Sequence, residues 1–387
     1  MQMTETPRIA LVAGEASGDL LGSRLIDALR RLYPHAEFFG IGGPKMQSAG
    51  LNSWFDQERL AVRGLVEVLK HLPALFAIRS QLMKRIVAAR PHLFIGIDAP
   101  DFNLGLEKRL KRRGIKTAHV VSPSIWAWRR GRIKTIRAAV SHMLVLLPFE
   151  EAIYKDEAIP VTFIGHPLAD EIPEDIDRNA MIEHLRLPAD APIITILPGS
   201  RQSEIEQMAE PLIETAKLIH KRLPQARFLV PLITRETRDL FETILYKLEA
   251  QNLPLKLLFG HAHDALSASH VALATSGTVT LEAALLRCPM VIAYRVAPAS
   301  YAIAKRVIRV EHIGLPNILS GRWVVPEFIQ HDMTPENLAQ ACVNLLQDEN
   351  LRKQIAAHFD SIHRNMRRNA AESAAVALKP LIEGVAI

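Results

Sequence analysis

A strand, a glycine turn, a helix and a second strand follow one another over residues 271–294, and this succession constrains the fold more than any other feature. The tripeptide Ser276-Gly277-Thr278 interrupts the apolar run VALAT, a helical pattern follows, and Cys288-Pro289 ends it before the apolar run MVIAY. This is one βαβ unit. Parallel strands joined by a helix need a sheet whose faces helices cover, so the pattern predicts an α/β fold.

The glycine turn of this unit is a candidate phosphate site. It would direct free backbone N–H groups and the positive end of a helix dipole at one point. Glu282 lies one turn into the helix, where its carboxylate could accept hydrogen bonds from a ribose diol. The alternative is that Gly277 only permits a tight turn and Glu282 faces solvent. This stretch alone does not decide between the two.

Length and composition indicate two domains in a reducing compartment. The chain has 387 residues, of which 49% are hydrophobic, enough for two substantial cores. We expect no signal peptide, because the first residues are polar, and no uninterrupted apolar segment is long enough to span a bilayer. The two cysteines argue against a disulfide framework. The net charge of +6 suits an anionic small molecule, a membrane surface or nucleic acid.

A strand and a glycine-rich turn recur near the N-terminus. The apolar run RIALVA (residues 8–13) leads into GEASGD and then a helical pattern. The turn lacks the spacing of the dinucleotide fingerprint, so we predict no NAD site there. Glu15, Ser17 and Asp19 would lie at the carboxyl end of a strand, where open α/β sheets bind ligands. Ser17 or Asp19 could instead cap the helix, and we expect at least one of the three to face substrate.

A candidate general base follows the strand predicted at residues 92–97. The next residues, Asp98-Ala99-Pro100-Asp101, put two carboxylates at the carboxyl end of a strand. A base there needs only hydrogen-bond reach to the proton that it removes. Either aspartate could instead cap the helix that begins near Leu104, and the sequence leaves open which of the two is the base.

Residues 65–76 carry a crowded apolar stripe with cations close by. Core packing on a helix that Pro73 kinks explains the pattern. An interfacial helix that inserts apolar side chains into a membrane, with cations against anionic headgroups, also explains it. The apolar residues are Val66, Val68, Leu69, Leu72, Leu75 and Phe76.

The second half of the chain restarts the α/β alternation. Residues 170–190 are rich in Asp, Glu and Pro and indicate a linker. Arg201 opens the helix after the next strand, where it could hold a diphosphate or pair with Glu204 at the surface. The cluster at residues 261–264 lacks convincing metal-ligand partners and is interpreted as a turn. Asn317, in a polar turn, offers both a donor and an acceptor.

Two tryptophans precede a basic run at residues 126–137. Trp126 and Trp128 with five following cations could bind nucleic acid by stacking and charge, or could hold a phosphate. A solvated helix face with the tryptophans in the core is the usual explanation of such a run.

Seven motifs, taken together, resemble the lipid-A-disaccharide synthase family. They are GEASGDLLG (14–22), GIDAPDFN (96–103), VSPSIWAWR (121–129), LPGSR (197–201), SGTVTLE (276–282), RCPMV (287–291) and LPN (315–317). They occur in order from near residue 8 to at least residue 320, so the resemblance covers most of the chain and is highly specific. Arg287 replaces the lysine of the family pattern, which we interpret as a surface change.

The resemblance implies a GT-B fold, with two Rossmann-like parallel-sheet domains and an interdomain cleft. Residues 1–172 would form the domain that faces acceptor and membrane. Residues 173–354 would bind the UDP-sugar. The C-terminal helices, from about residue 355 to 387, would pack on the first domain or on a partner subunit.

The resemblance also implies the reaction. UDP-2,3-diacylglucosamine and 2,3-diacylglucosamine 1-phosphate would give a β-1,6-linked disaccharide 1-phosphate and UDP, with inversion at the anomeric carbon. Neither a metal nor another cofactor would be required. The enzyme would lie peripherally on the anionic cytoplasmic face of the bacterial inner membrane, with the stripe at residues 65–76 in contact with lipid. A homodimer that swaps its C-terminal segment is a further implied feature.

Individual residues receive roles from the same resemblance. Asp98 would take the proton from the acceptor's 6-hydroxyl. The acceptor would be contacted by Glu15, Ser17, Gly18, Asp19 and Asp101. The nucleotide would be bound by Gly199, Ser200, Arg201, Ser276, Gly277, Thr278, Glu282 and Asn317.

Two other functions are compatible with parts of the sequence. A UDP-sugar 2-epimerase shares this architecture but has no use for an acyl-chain groove. A non-catalytic protein that binds membrane or nucleic acid could use residues 126–137, but it would not need Asp98, Arg201 and Glu282 at strand ends and helix starts. We therefore predict no nucleic-acid partner.

Overall fold

The computed structural model describes residues 6–60, 65–128, 130–296, 301 and 311–384, with the backbone alone described for residues 65–74 and 130. The chain divides into two compact units. The first unit comprises Met1–Asp170 and Met366–Ile387, and the second comprises Glu171–Asn365. The chain therefore leaves the first unit, builds the second and returns.

Each unit is built on a parallel sheet. The first sheet contains β1 (Arg8–Ala13), β2 (Glu37–Ile41), β3 (Leu51–Ser53), β4 (Leu93–Ile97), β5 (Lys116–Val120), β6 (His142–Val145) and β7 (Val161–Phe163). The second contains β8 (Ile193–Leu197), β9 (Arg227–Leu232), β10 (Leu255–Phe259), β11 (Val271–Thr275), β12 (Met290–Tyr294) and β13 (Glu327–Ile329). The two orders are β3-β2-β1-β4-β5-β6-β7 and β10-β9-β8-β11-β12-β13.

Helices alternate with the strands. Those before β8 are α1 (Ala16–Leu32), α2 (Pro44–Ser48), α3 (Leu65–Ala89), α4 (Pro100–Lys111), α5 (Ile133–Ala139), α6 (Glu150–Lys155), α7 (Pro167–Glu171) and α8 (Arg178–His184). Those after it are α9 (Gln202–Arg222), α10 (Arg235–Lys247), α11 (Ala262–Ala268), α12 (Thr278–Leu285), α13 (Leu315–Ser320), α14 (Pro335–Gln347), α15 (Glu349–Met366) and α16 (Ala370–Ile382). The predicted α/β class, with two Rossmann-like parallel sheets, is confirmed.

The strand order of each sheet reverses at one point. The chain runs outward from β1 to β3 on one side and from β4 to β7 on the other. The second sheet reverses in the same way between β8 and β11. Open α/β sheets bind ligands outside the carboxyl ends of the strands at such a point. The topology therefore gives each unit one favoured place for a site.

Strand β1 shows why this sequence forms a buried parallel strand. Successive side chains point to opposite faces of a sheet. Ile9 and Leu11 belong to the core on one face, and Ala10 and Val12 to the core on the other, all of them fully buried. Because helices cover both faces, the five positions that follow Arg8 are all apolar.

The returning helix α16 completes the first core. It packs against α1, and its inward face, including Ala374, Leu378 and Leu381, is buried in the core that contains Ile9 and Leu11. Asp170 holds its start, since its carboxylate accepts hydrogen bonds from the backbone N–H groups of residues 368, 369 and 370 at 3.1, 2.9 and 2.6 Å. His166 N donates to Met366 O at 2.9 Å just before that point.

The structure differs from the sequence prediction in several places, among them the polar turn predicted around Asn317, which is part of helix α13. The proposed linker contains α8, whose start is capped by the Asp177 side chain. Strands β3 and β13 have three residues each, too few to show a periodic pattern. Helix α3 runs through Pro73 to residue 89. Arg287 is not a surface residue, because its side chain is 19% exposed and pairs with Asp360 at 2.6 Å.

Candidate active site

The first unit carries a cavity of about 440 Å³ at the point where its strand order reverses. The turn after β1 contributes Glu15, the turn after β4 contributes residues 98–102, and α3 contributes Leu75, Phe76 and Arg79. Carboxylates therefore meet apolar side chains in one pocket. Such a lining suits an amphipathic ligand with polar and apolar parts.

Asp98 occupies a constrained backbone position in this pocket. Asp98 and Ala99 have φ values of +50° and +43°, a left-handed conformation that costs about 1–2 kcal/mol for a residue with a Cβ. The amide of Asp98 donates to Val120 O at 2.9 Å, which ties the turn to β5. Strained turns of this kind cluster at active sites because they aim a side chain. Burial raises the pKa of the half-buried Asp98 carboxyl group, with a smaller rise from Glu15.

The side chain of Asn103 stabilises this turn by hydrogen bonds. Asn103 was not among the predicted site residues. Its side chain is fully buried, and Nδ2 donates to the Asp98 carbonyl at 2.8 Å. The same amide lies 3.3 Å from Val12 O and 3.4 Å from Ile97 O, so it joins the ends of β1 and β4. Asn103 is thus a positioning residue for Asp98.

A buried hydrogen-bonded pair lies on the same side of the sheet. His119 Nδ1 and Glu107 Oε1 are 2.7 Å apart, and both side chains are fully buried. A Cβ at Gly96 would lie 2.1 Å from Glu107 Oε1, so the glycine on β4 makes room for the carboxylate. The charge of His119 opposes the rise in the pKa of Asp98.

The other predicted acceptor residues take different places. Asp101 lines the pocket, is largely exposed and pairs with Arg132. Ser17 is exposed in the first turn of α1, outside the lining of the pocket. Gly18 is buried, and a Cβ there would lie 3.3 Å from Ala13 Cβ, so this glycine lets α1 approach β1.

The observed contacts of Asp19 are with the protein backbone. It is 3% exposed, and its carboxylate accepts hydrogen bonds from the amides of Lys45 and Met46, both at 3.0 Å. It caps α2 from a distance rather than its own helix. The sequence offered no sign of this contact, because the partners are 26 and 27 positions away.

The apolar stripe of α3 reaches the pocket through Leu75 and Phe76, and the Phe76 side chain is 54% exposed. The side chains of Val66, Val68, Leu69 and Leu72 lie outside the described residues. Among the residues that the structure does describe, no helix is long and apolar enough to cross a membrane.

The tryptophan-rich stretch is linked to this pocket through Arg132, which pairs with Asp101. Trp126 contacts Phe149 edge to face, with ring centroids 5.3 Å apart. Glu150 is buried beneath the loop. Burial raises its pKa to about 7, and hydrogen bonds from Leu147, Ser122 and Trp126 partly offset this rise. Of the basic residues, Arg132 pairs with Asp101 and Arg137 with Glu157, and Arg129 lies outside the described residues.

The second unit carries a cavity of about 380 Å³, also where the strand order reverses. Its lining comes from the ends of β8, β9, β11 and β12 and from the starts of α9 and α12. The predicted nucleotide-binding residues that line it are Gly199, Ser200, Arg201, Ser276, Gly277, Thr278 and Glu282. The structure thus brings seven of the eight together.

The turn before α9 holds an internal carboxylate. Gly199 has a φ of +118°, and a Cβ there would lie 2.5 Å from Glu204 Cβ. The Glu204 carboxylate accepts from Ser200 N at 2.8 Å and Arg201 N at 3.2 Å. Arg201 lines the cavity and also lies 3.5 Å from Glu204. The structure is therefore compatible with both predicted roles of this arginine, as a diphosphate ligand and as the partner of Glu204.

The turn before α12 is open on its ligand side. Gly277 has a φ of +147°, and a Cβ there would meet nothing within 4 Å. Ser276 Oγ donates to Ile313 O at 2.9 Å and thereby fixes the turn. Glu282 lines the cavity and lies 3.2 Å from His263 Nε2, whose pKa the carboxylate raises. The partnership with His263 was not predicted.

Asn317 is fully buried and does not line the cavity. Its Nδ2 donates to Val325 O and to Glu327 Oε1, both at 2.8 Å, and its Oδ1 accepts from the amides of Val324 and Val325. Glu327 in turn holds the amides of Ile313 and Gly314. As described, Asn317 supports the loop that anchors Ser276, and direct contact with a nucleotide stays a prediction.

In the part of the chain that the structure describes, no group of three or more His, Cys, Asp or Glu side chains could hold a metal ion. The histidines at the start of α11 have other partners. His261 Nδ1 lies 2.8 Å from Asp264 Oδ2, and His263 faces Glu282.

Solved structures share this architecture at low sequence identity. A putative UDP-N-acetylglucosamine 2-epimerase from Listeria monocytogenes matches with a TM-score of 0.65 and 12% identity, over 99% of this chain and 98% of that one. MurG of Acinetobacter baumannii matches with a TM-score of 0.58 and 14% identity, over 97% and 99%. These likenesses establish the fold alone.

Sequence comparison is more specific. Residues 9–378 match the family model described as lipid-A-disaccharide synthetase. A lipid-A-disaccharide synthase of Dechloromonas aromatica is 54% identical over 97% of this chain and 99% of its own length. The corresponding protein of Pseudomonas aeruginosa is 47% identical over 98% of this chain and its full length. Matches of this extent show that the chain belongs to the lipid-A-disaccharide synthetase family.

Proposed function

We propose that this chain transfers the diacylglucosamine unit of UDP-2,3-diacylglucosamine to the 6-hydroxyl of 2,3-diacylglucosamine 1-phosphate, with inversion and release of UDP. Membership of the family makes it a glycosyltransferase that forms the lipid A disaccharide. The assignment of substrates to pockets rests mainly on Asp98. This carboxylate lies at the carboxyl end of β4 in a pocket with apolar walls, as a base for an acylated acceptor requires.

Asp98 acts as the general base. The acceptor 6-hydroxyl attacks the anomeric carbon of the donor, its proton passes to an Asp98 oxygen, and the bond to the UDP oxygen breaks. Burial favours this step, because it raises the pKa of the Asp98 carboxyl group and so makes the carboxylate a stronger base. General-base catalysis of this kind contributes about 10²–10⁴-fold in rate.

The second-unit cavity binds the UDP moiety. The amides before α9 and α12 and the Arg201 guanidinium stabilise charge that develops on the diphosphate as it leaves. A diphosphate that binds at the α9 turn competes with the Glu204 carboxylate for the amides of Ser200 and Arg201. The Glu282 carboxylate accepts hydrogen bonds from the ribose diol and is oriented by His263.

The protein associates peripherally with the cytoplasmic face of the inner membrane through the α3 stripe. Exposed Phe76 and the exposed Lys84 further along the helix match an interfacial helix, in which apolar groups enter the headgroup region and cations remain at the surface. We also propose a homodimer in which α16 packs on the α1 of a partner chain. The α1–α16 contact within the first unit is the contact that such an exchange would reproduce.

A turnover assay in detergent micelles tests the proposal, with both acylated substrates and the Asp98→Asn variant. We expect wild type to form disaccharide and the variant to lose about 10²–10⁴-fold in kcat while it still binds UDP. A variant nearly as fast as wild type would place the base elsewhere. A wild type that forms no disaccharide would overturn the substrate assignment, and 2-epimerisation of UDP-N-acetylglucosamine should then be measured.

Glu282 has a separate test. Glu282→Gln should weaken UDP binding, with a smaller effect on 2′-deoxy-UDP, because the analogue lacks one of the two hydroxyls that the carboxylate would accept from. Equal losses for both nucleotides would contradict a ribose contact.

A further inference from the structure

One cation in the first-unit pocket has no counter-ion among the residues that the structure describes. Arg79 projects from α3 into the lining, and its guanidinium lies 4.8 Å from the centroid of the Phe76 ring. Its Nε is buried without a hydrogen-bond partner, and no described residue forms an ion pair with it. Buried guanidinium groups normally have acceptors, since each orphaned donor costs about 1–3 kcal/mol. An unpaired arginine in a substrate pocket therefore points to an anionic ligand.

The neighbouring helix increases the positive character of this place. A Cβ on Gly105 would lie only 3.0 Å from Arg79 Nη1, so the glycine allows the guanidinium to lie against α4. Arg109, one turn further along α4, is a second cation near enough to lower the pKa of Arg79, in addition to the larger effect of burial. Two guanidinium groups close together attract an anion more strongly than either does alone.

Other cations near the pocket are already neutralised or lie elsewhere. Arg132 pairs with Asp101. Arg85, further along α3, stacks on Trp54 and Phe55 with centroid distances of 5.3 and 5.7 Å and does not line the cavity. Among the described lining residues Arg79 is the only cation, and it faces a pocket that also contains Glu15 and Asp98. An anion that enters this pocket needs Arg79 to offset those carboxylates.

We propose that Arg79 binds a phosphate monoester, the 1-phosphate of the acceptor sugar, and so selects a phosphorylated acceptor. This inference rests on the proposed function. Guanidinium groups suit phosphate because their planar fork can donate two parallel hydrogen bonds.

The chemistry of the acceptor fits one pocket that holds both groups. In a glucopyranose the carbons that carry the 1-phosphate and the 6-hydroxymethyl group both flank the ring oxygen. Both substituents therefore lie on one edge of the sugar. Asp98 can accordingly contact the 6-hydroxyl, and Arg79 the 1-phosphate, of a single monosaccharide. The acyl chains are then directed to the apolar wall of Leu75 and Phe76.

The test compares two acceptors that differ at the anomeric position. Initial rates are measured in nonionic detergent without phospholipid, with 2,3-diacylglucosamine 1-phosphate and with its 1-O-methyl analogue. The variants are Arg79→Met, Arg79→Lys and, as a matched control on the same helix, Arg85→Met. Tryptophan fluorescence and the Kd for UDP report whether each variant is folded.

We expect Arg79→Met to raise the acceptor KM at least about tenfold with the phosphorylated acceptor only, with the donor KM unchanged. Arg79→Lys should lie in between, because lysine keeps the charge but loses the fork. Arg85→Met should behave as wild type. A loss by the same factor with both acceptors would overturn the proposal in favour of a structural role.

Two further outcomes separate this inference from neighbouring explanations. If Arg79→Met keeps its preference for the phosphorylated acceptor but no longer sediments with phosphatidylglycerol vesicles, the anion is a lipid headgroup and the proposal is wrong. If wild type transfers to neither acceptor, the proposed function fails. Calorimetry with glucosamine 1-phosphate then tests the phosphate site by itself. The proposal requires that Arg79→Met bind this compound more weakly than wild type does.

Discussion

Replacing Asp19 by alanine should destabilise the first unit without a direct effect on the acceptor pocket. The carboxylate is buried and accepts two hydrogen bonds of 3.0 Å from backbone amides at the start of α2. The resemblance to relatives had assigned this residue to the acceptor. The structure shows a capping contact for it, acceptor contact stays untested, and the two roles predict different losses.

The magnitude follows from the groups left behind. Alanine leaves the Lys45 and Met46 amides without an acceptor at a position where Asp19 is 3% exposed. An unsatisfied buried amide costs about 1–3 kcal/mol and a lost N-cap about 1 kcal/mol, so we expect a loss of about 2–4 kcal/mol. At about 2–4 °C per kcal/mol for a unit of this size, Tm should fall by roughly 5–15 °C.

Urea unfolding followed by tryptophan fluorescence measures this loss. Three of the four tryptophans, Trp54, Trp126 and Trp128, lie in the first unit, so the signal reports chiefly on it. Asp27→Ala is the matched control, because it removes an exposed carboxylate from the same helix. Surface changes of that kind usually stay within about 0.5 kcal/mol.

The reasoning would be refuted by an Asp19→Ala protein that unfolds at the same urea concentration as wild type. A raised acceptor KM in such a protein would return Asp19 to the substrate site. A destabilised variant that, below its unfolding transition, keeps the wild-type acceptor KM is the expected result.

Three further predictions concern the same unit. Burial raises the pKa of Asp98 above the ordinary 3.8, so the acid limb of kcat/KM should lie above that pH, and a limb at or below it would contradict the assignment. Burial raises the pKa of Glu150 to about 7 from 4.5, so the folded state binds this proton more tightly and wild-type stability falls as pH rises between those values. Glu150→Gln should remove on the order of 3 kcal/mol of that dependence in urea unfolding at a series of pH values, whereas an unchanged slope would show that Glu150 does not cause it. Asn103→Leu removes the amide that holds the Asp98 carbonyl, so kcat should fall at least about tenfold at constant UDP affinity, and an unaffected kcat would argue against positioning.

The elements and their order followed from local pattern. Buried strands such as β1, β8 and β11 are continuous apolar runs that end at a glycine turn, and their predicted bounds agree with the structure. The second-unit cavity was predictable for the same reason. Its turns are local in sequence, and parallel strands bring their carboxyl ends to one edge.

Contacts between distant elements were not predictable. Glu107 and His119 pair because α4 packs over β5, and nothing in either segment alone specifies that packing. Asp19 and Asn317 are residue types that often line binding sites. Their hydrogen bonds nevertheless go to backbone groups that the tertiary structure brings near. The Arg287–Asp360 pair joins residues 73 positions apart. Polarity indicates that a buried side chain needs a partner and does not identify the partner.

The return of the chain at Met366 has a consequence for biosynthesis. During translation, residues 1–170 leave the ribosome without α16, so the face of α1 that contacts Ala374, Leu378 and Leu381 has no cover until the whole second unit has been made. Domains generally fold as units during synthesis, the N-terminal one first. Here the core of the N-terminal unit cannot be completed until the second unit has been synthesised. Its half-built core is exposed for the time needed to add residues 171–382. Chaperone dependence should therefore be concentrated in that interval, and a stalled chain that ends before α16 should bind holdases through its first unit.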